Sequence, residues 1–223
     1  MPTPRPRPAP PITAARGEQV RATRSQVLVA AREVFTRRGY GGTTIDAVAH
    51  RAGVSPQSIY NVVGGKAALL KAVYDVAVAG DDEPLPMVDR PLYRQMVAAP
   101  DGRTCLALYA RIGRGILERA GPLIAVVFVQ GAALDADVAA FVDTAEDERA
   151  TGTAGVARLV ADRFGLRPGL DVASAADVLW TLTAPELVMR LVHRRRWSLG
   201  RFEAWTARTT ADALLGPAER PGA

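Results

Sequence analysis

The stretch Thr43-Thr44-Ile45-Asp46-Ala47-Val48-Ala49-His50-Arg51-Ala52-Gly53-Val54-Ser55-Pro56-Gln57-Ser58-Ile59-Tyr60 leaves the chain few choices. Ile45, Val48, Ala49 and Ala52 fall at i, i+3, i+4 and i+7, which is one face of a helix. Thr43 with Asp46 three residues on reads as a capping box, so the helix has a marked start. Gly53 follows the last periodic residue, where a left-handed residue ends a helix without a Cβ clash. Ser55 is then a good N-cap, and Pro56 suits the first helical position, where its missing N–H costs nothing. A second helix therefore begins almost at once. Two helices joined by a short turn containing glycine form the helix-turn-helix, whose second helix enters the DNA major groove.

The flanking residues extend this reading. Gly39-Tyr40 precedes the pair, Tyr60 closes the second helix, and Lys66-Ala67-Ala68-Leu69-Leu70 follows. Over roughly residues 24–74 these anchors resemble the N-terminal DNA-binding domain of the tetracycline-repressor (TetR) family. That family has a first helix ending in Gly-Phe/Tyr, then Thr-Thr, Ala-x-x-Ala-Gly-Val-Ser, a Tyr in the recognition helix, and Lys followed by Leu-Leu. Val62 stands where the family often has His, Val63 where it often has Phe, and Ala67 where it often has an acid. The resemblance implies that Pro56, Gln57, Ser58 and Asn61 approach base edges and that Thr44, Tyr60 and Lys66 bind phosphates. The chemistry agrees. Gln and Asn pair bidentately with adenine, Ser with several bases, and hydroxyls and lysine are suitable phosphate donors.

Charge is uneven along the chain. Residues 1–66 hold ten Lys/Arg and three Asp/Glu, net +7, and residues 67–223 hold eighteen and twenty, net −2. A basic N-terminal third on a near-neutral remainder fits a polyanion at that end. Nearly half the residues are hydrophobic, enough for a sizeable core. The single Cys105 excludes an intramolecular disulfide and suits a reducing cytoplasm. No run of 18 apolar residues is present, so no membrane span is expected, and the N-terminus lacks the apolar stretch of a signal peptide.

The expected organisation is all-α. It comprises a disordered, basic, Pro-rich tail over 1–22, a three-helix helix-turn-helix domain over 23–68, a helical ligand-binding and dimerisation domain over 69–216, and a frayed tail over 217–223. The first tail is either a leader or an arm adding phosphate or minor-groove contacts. The first helix is expected over about 24–38, with Val27, Leu28, Ala31, Val34 and Phe35 inward. A helix over about 66–80 follows, then loop or frayed helix to about 101. Later helices are expected over about 103–119, 137–164 and 171–183, then from Glu186 to Arg196 after a break at Pro185, with a last one capped by Ser198. Gly121-Pro122 should open a short buried helix through Val129.

The second half also resembles a common TetR-type C-terminal domain, through Asp177-Val178-Leu179-Trp180, Pro185-Glu186 and Trp197-Ser198 with Trp205. This implies a homodimer and a pocket for a small-molecule effector among the helices. Tyr109, Phe128, Gln130, Trp180, Glu186 and Met189 are the pocket-lining types there, though each also suits a plain core. Enzyme chemistry finds no footing. His50 and His193 lack the Glu-x-x-His spacing of a di-iron bundle, and no Gly-x-Ser-x-Gly is present. Around Gly64-Gly65-Lys66 a phosphate loop lacks its first Gly and its Ser/Thr. No cofactor or metal is expected. The reading is a cytoplasmic, non-enzymatic regulator binding a palindromic double-stranded DNA operator as a homodimer and released by an effector. The alternatives are an architectural DNA-binding protein without effector, and a helical small-molecule carrier or enzyme.

Overall fold

The computed structural model describes residues 12–82 and 86–217, and among these the chain is helical with no strand. Met1–Val73 and Tyr74–Ala223 form two compact units. The division falls inside a helix, beyond the 68/69 boundary expected from sequence.

In the first unit α1 spans Ile12–Arg38, α2 Ile45–Ala52 and α3 Pro56–Val62, while α4, Lys66–Ala79, carries the division. Of the expected tail, residues 1–11 and 218–223 lie outside the described residues, but residues 12–22 are helical. The proline run ends at Pro11, and Ala14, Ala15, Arg16, Glu18, Gln19, Arg21 and Ala22 are good helix formers. The tail was therefore extended too far, and α1 begins well before residue 24.

The predicted stripe of α1 is buried at Val27, Leu28, Ala31, Val34 and Phe35. Val48, Ala49 and Ala52 of α2, Ile59 of α3 and Leu69, Leu70 and Val73 of α4 are buried as well. Side chains of α1 also brace the other helices. Gln26 donates to the Ala52 carbonyl at 2.6 Å, and Arg24 to the Val62 carbonyl at 3.3 Å. Both take up carbonyls that a helix C-terminus leaves without intrahelical partners. Glu33 pairs with Arg51 at 2.6 Å.

The start of α2 differs from the capping box expected at Thr43. Thr43 is buried and its hydroxyl donates back to the Gly39 carbonyl at 2.7 Å, closing the end of α1. Thr44 is the N-cap, with its Oγ1 accepting from the Ala47 N–H at 3.1 Å. The cap thus sits one residue later, because Thr43 is drawn into the preceding turn.

In the second unit a 3₁₀ turn at Met87–Asp89 and α5, Pro91–Val97, occupy what was expected as loop or frayed helix. Pro91 at the first turn and the fully buried Met96 supply the start and the anchor. α6 runs over Gly102–Ile124, with Asp101 as N-cap accepting from the Thr104 N–H at 2.8 Å. Gly121-Pro122 does not open a separate helix. Pro122 sits inside α6, and the chain continues through wider π turns over Ala125–Gly131 into α7, Ala132–Leu134. Proline removes one N–H from the ladder, and buried Leu123, Ile124, Val126 and Val127 hold the run in the core across that defect.

The whole run Gly102–Leu134 is long and apolar enough to cross a bilayer by length and composition alone, a test that a core helix also passes. The run is not unbroken in its apolar residues, yet its best window has a mean hydropathy of 1.4 despite isolated polar residues. In this fold α6 is the element against which α5 and the last helix pack.

α8 spans Ala136–Phe164, α9 Val172–Leu182, α10 Pro185–Val188 and α11 Leu199–Leu215. Pro185 restarts the chain as the first residue of α10, and π turns over Met189–Arg194 follow. Two core clusters result. One gathers Met96, Leu106, Val156, Val160, Leu179 and Leu214. The other gathers Ile124, Val188 and Phe202, with Phe128 and Met189 packed against it.

Candidate functional site

α3 has one buried residue, Ile59, which is its anchor. The rest of the helix is organised around that side chain. Ser55 caps the start by accepting from the Ser58 N–H at 3.1 Å, and its hydroxyl also meets that of Ser58 at 2.8 Å. Pro56, Gln57 and Asn61 are exposed and Ser58 is half-buried. Gln57 donates to the Asn61 Oδ1 at 3.0 Å. This bond joins two amides at i and i+4, leaving the Asn61 amide N–H groups and the Gln57 carbonyl oxygen for a base edge. Tyr60 is 52% exposed. It is therefore not the packing aromatic that a small domain would ordinarily make of a tyrosine.

Thr44 is exposed at the N-cap of α2. Its oxygen accepts from the Ala47 N–H, so the hydroxyl proton still points to a donor role. The Lys66 Nζ lies 4.1 Å from the centre of the Tyr40 ring. Tyr40 is buried and stacked on Phe35, with ring centroids 6.2 Å apart and an interplanar angle of 2°. In the sequence Tyr40 is only an anchor ahead of the helix pair. Here it forms the apolar seat that positions the Lys66 ammonium, an attraction of about 0.5–1 kcal/mol at exposed sites. Arg24 and Gln26, which hold the C-terminal ends of α3 and α2, gave no sequence signal because their role needs the two helices folded back on α1.

The second unit contains a cavity of about 170 Å³. One face of α6 lines it through Ala110, Gly113, Leu117, Ala120 and Ile124, spaced alternately by three and four residues. Val188 and Phe202 from the second core cluster close the other side. Of the six expected pocket residues only Tyr109 lines this cavity. Phe128 and Met189 pack in the second core cluster, Gln130 and Glu186 are exposed, and Trp180 is 39% exposed beneath the Arg149 guanidinium. The cavity wall combines small residues of α6, Ala110, Gly113 and Ala120, with the aromatic rings of Tyr74, Tyr109 and Phe202.

Tyr74 also lines the cavity, edge-on to Phe128 at 5.8 Å and to Phe141 at 5.7 Å. Burial, with Glu146 as a lesser cause, pushes its phenol up to about 12. Burial likewise raises Tyr109, whose hydrogen bond with Thr183 works in the opposite direction. Cys105 is buried and its thiol is raised by burial, which disfavours the reactive thiolate. Among the described residues no cluster of His, Cys, Asp or Glu is arranged to hold a metal.

A capped α2, a left-handed turn at Gly53 and a second helix with one buried and several exposed polar residues define a helix-turn-helix DNA-binding domain. Residues 27–73 match the model of the bacterial regulatory proteins of the tetR family. Residues 27–73 thus form a DNA-binding domain of the tetR type, and the chain is a DNA-binding transcriptional regulator. Comparison with curated proteins gives no match. Among solved structures, FadR from Bacillus subtilis in complex with stearoyl-CoA is similar, with TM-score 0.67 and 17% identity over 86% of this chain and 98% of that one. NalD of Pseudomonas aeruginosa, the secondary repressor of the MexAB-OprM multidrug efflux pump, gives 0.65 and 17% over 87% and 97%. A transcriptional regulator from Saccharomonospora viridis in complex with choline gives 0.63 and 18% over 86% and 96%. At these identities the likeness concerns the fold.

Proposed function

We propose that the protein is a repressor that binds a palindromic operator as a homodimer in the cytoplasm and leaves it when a small molecule occupies the helical unit. The observation that carries this is the outward polar ridge of α3, Gln57, Ser58 and Asn61, held over the buried Ile59. In this reading Pro56 and those three residues meet base edges, and Thr44, Tyr60 and Lys66 meet phosphates. Half-sites lie one helical turn or a multiple apart, mirroring the two-fold axis. The similar folds solved with stearoyl-CoA and with choline, together with the cavity, support an effector in the second unit. The effector releases DNA only to the extent that it binds the DNA-incompetent state more tightly than the competent one.

The test is selection of bound sequences from a random duplex pool at two salt concentrations. A palindromic consensus that survives the higher salt is expected. Binding without consensus that collapses with salt would make the protein a backbone-only binder, and the repressor reading would be abandoned.

A further inference from the structure

The cavity of the second unit restricts the chemistry of its occupant. Its volume of about 170 Å³ is close to the ~150 Å³ that accepts one benzene-sized molecule. Gly113 lies in its wall, and a Cβ added there would meet no atom within 4 Å. Glycine inside a helix is unfavourable relative to alanine, and no neighbour in the fold demands it here. It keeps space open against the backbone.

The charges in the wall are already matched. Arg149 donates to both oxygens of Glu146, to the Trp180 carbonyl and to the Thr183 hydroxyl, so every N–H of its guanidinium is engaged. Arg114 donates to Glu118 at 2.8 Å and to Glu203 at 3.0 Å. A ligand carboxylate at Arg149 would have to displace Glu146, and one at Arg114 would meet the two acids Glu118 and Glu203 already seated there. A ligand cation would enter a wall that already carries two guanidinium groups. An unpaired charge is expensive to bury.

One polar group is left without a partner. Thr206 lines the cavity, is 3% exposed, and its Oγ1 has no hydrogen bond among the described residues. A helical threonine ordinarily bonds the carbonyl four residues back, as Thr210 does to Thr206 at 2.8 Å. Threonine in a helix has two accessible χ1 wells, so its hydroxyl can turn to a partner that enters beside it.

Building on the effector reading above, we infer that this cavity takes a small, neutral, mainly apolar molecule of about six to ten non-hydrogen atoms, with one hydroxyl or carbonyl that meets the Thr206 hydroxyl and an apolar body lying over Gly113. The acyl-CoA and choline classes seen in similar folds are charged and do not suit this wall.

The test uses the full chain and calorimetry with benzyl alcohol, toluene, benzoate and choline. Benzyl alcohol should bind best, toluene more weakly, and benzoate and choline not at all. Thr206→Val keeps the shape and removes the hydroxyl, so it should weaken benzyl alcohol about tenfold and leave toluene unchanged. Gly113→Leu should abolish both neutral ligands, and if that variant fails to fold, Gly113→Ala should still weaken them. Tighter binding of benzoate or choline, indifference of benzyl alcohol to Thr206→Val, or no binding by either neutral probe would overturn the inference. Operator release is read separately. Benzyl alcohol that binds as stated without releasing the operator defeats the ligand-released reading alone. Release by a charged effector that is indifferent to Thr206→Val defeats this inference alone.

Discussion

In the proposed reading Thr44 serves the fold and the nucleic acid together. Its oxygen caps α2, and its hydroxyl proton is the group proposed to meet a phosphate. The two roles separate by substitution. Thr44→Ala is expected to destabilise the protein by ~0.5–2 kcal/mol through the lost cap and also to weaken DNA binding. Thr44→Asp should keep the cap and the melting temperature while repelling phosphate, so only operator affinity falls. Melting and operator titration of both variants check this. Gln57→Ala should relax base preference at one position by ~1–3 kcal/mol, read as a flattened consensus in duplex selection. Lys66→Ala should instead weaken all sequences alike and flatten the salt dependence. Tyr74 gives a pH test of the second unit. Its folded pKa stands at about 12, above the ordinary 10 of the unfolded chain. Its contribution is therefore complete below pH 10 and is lost as pH rises from 10 towards 12. Tyr74→Phe, which cannot ionise, should unfold less steeply over that alkaline window. Parallel melts of both proteins at rising pH provide the measurement.

At the scale of elements, the turn between α2 and α3 is set by Gly53. Its φ is +68°, its N–H reaches the His50 carbonyl at 3.3 Å, and the Val54 N–H reaches that of Ala49 at 3.1 Å. A Cβ there would meet only the Gln26 amide, at 4.0 Å. The demand is thus conformational and not steric. Gly53→Ala should cost ~1–2 kcal/mol from the left-handed backbone, whereas Gly53→Asn should cost less, because Asn tolerates that region. Chemical denaturation of the two variants distinguishes them. The same helices show where periodicity fails as a guide. The stripe of α1 was legible because Val27, Leu28, Ala31, Val34 and Phe35 repeat at helical spacing. The continuation of α6 past Pro122 was not legible. A glycine-proline pair reads locally as a break, and only buried neighbours along the following run keep the axis going.

For the whole molecule, the charge asymmetry places the polyanion-facing function on the first unit. Removing residues 2–11 deletes Arg5 and Arg7. It is expected to reduce non-specific DNA affinity at low salt, with the selected consensus unchanged, since phosphate attraction carries no base information. Retained low-salt affinity would show that this arm takes no part. The helix-turn-helix and its anchors were determined by the sequence alone. Capping, left-handed turns and helical spacing are local properties, and local chemistry fixes them within a few residues. The cavity was decided by the tertiary structure. Nothing in the α6 sequence says that Ala110, Gly113 and Ala120 face a space between two core clusters instead of a close-packed helix. Nor does it say that Arg149 spends every donor on Glu146, Trp180 and Thr183 while Thr206 spends none. Those are pairings between residues distant in sequence, and only the packing of helices brings them together or leaves them apart.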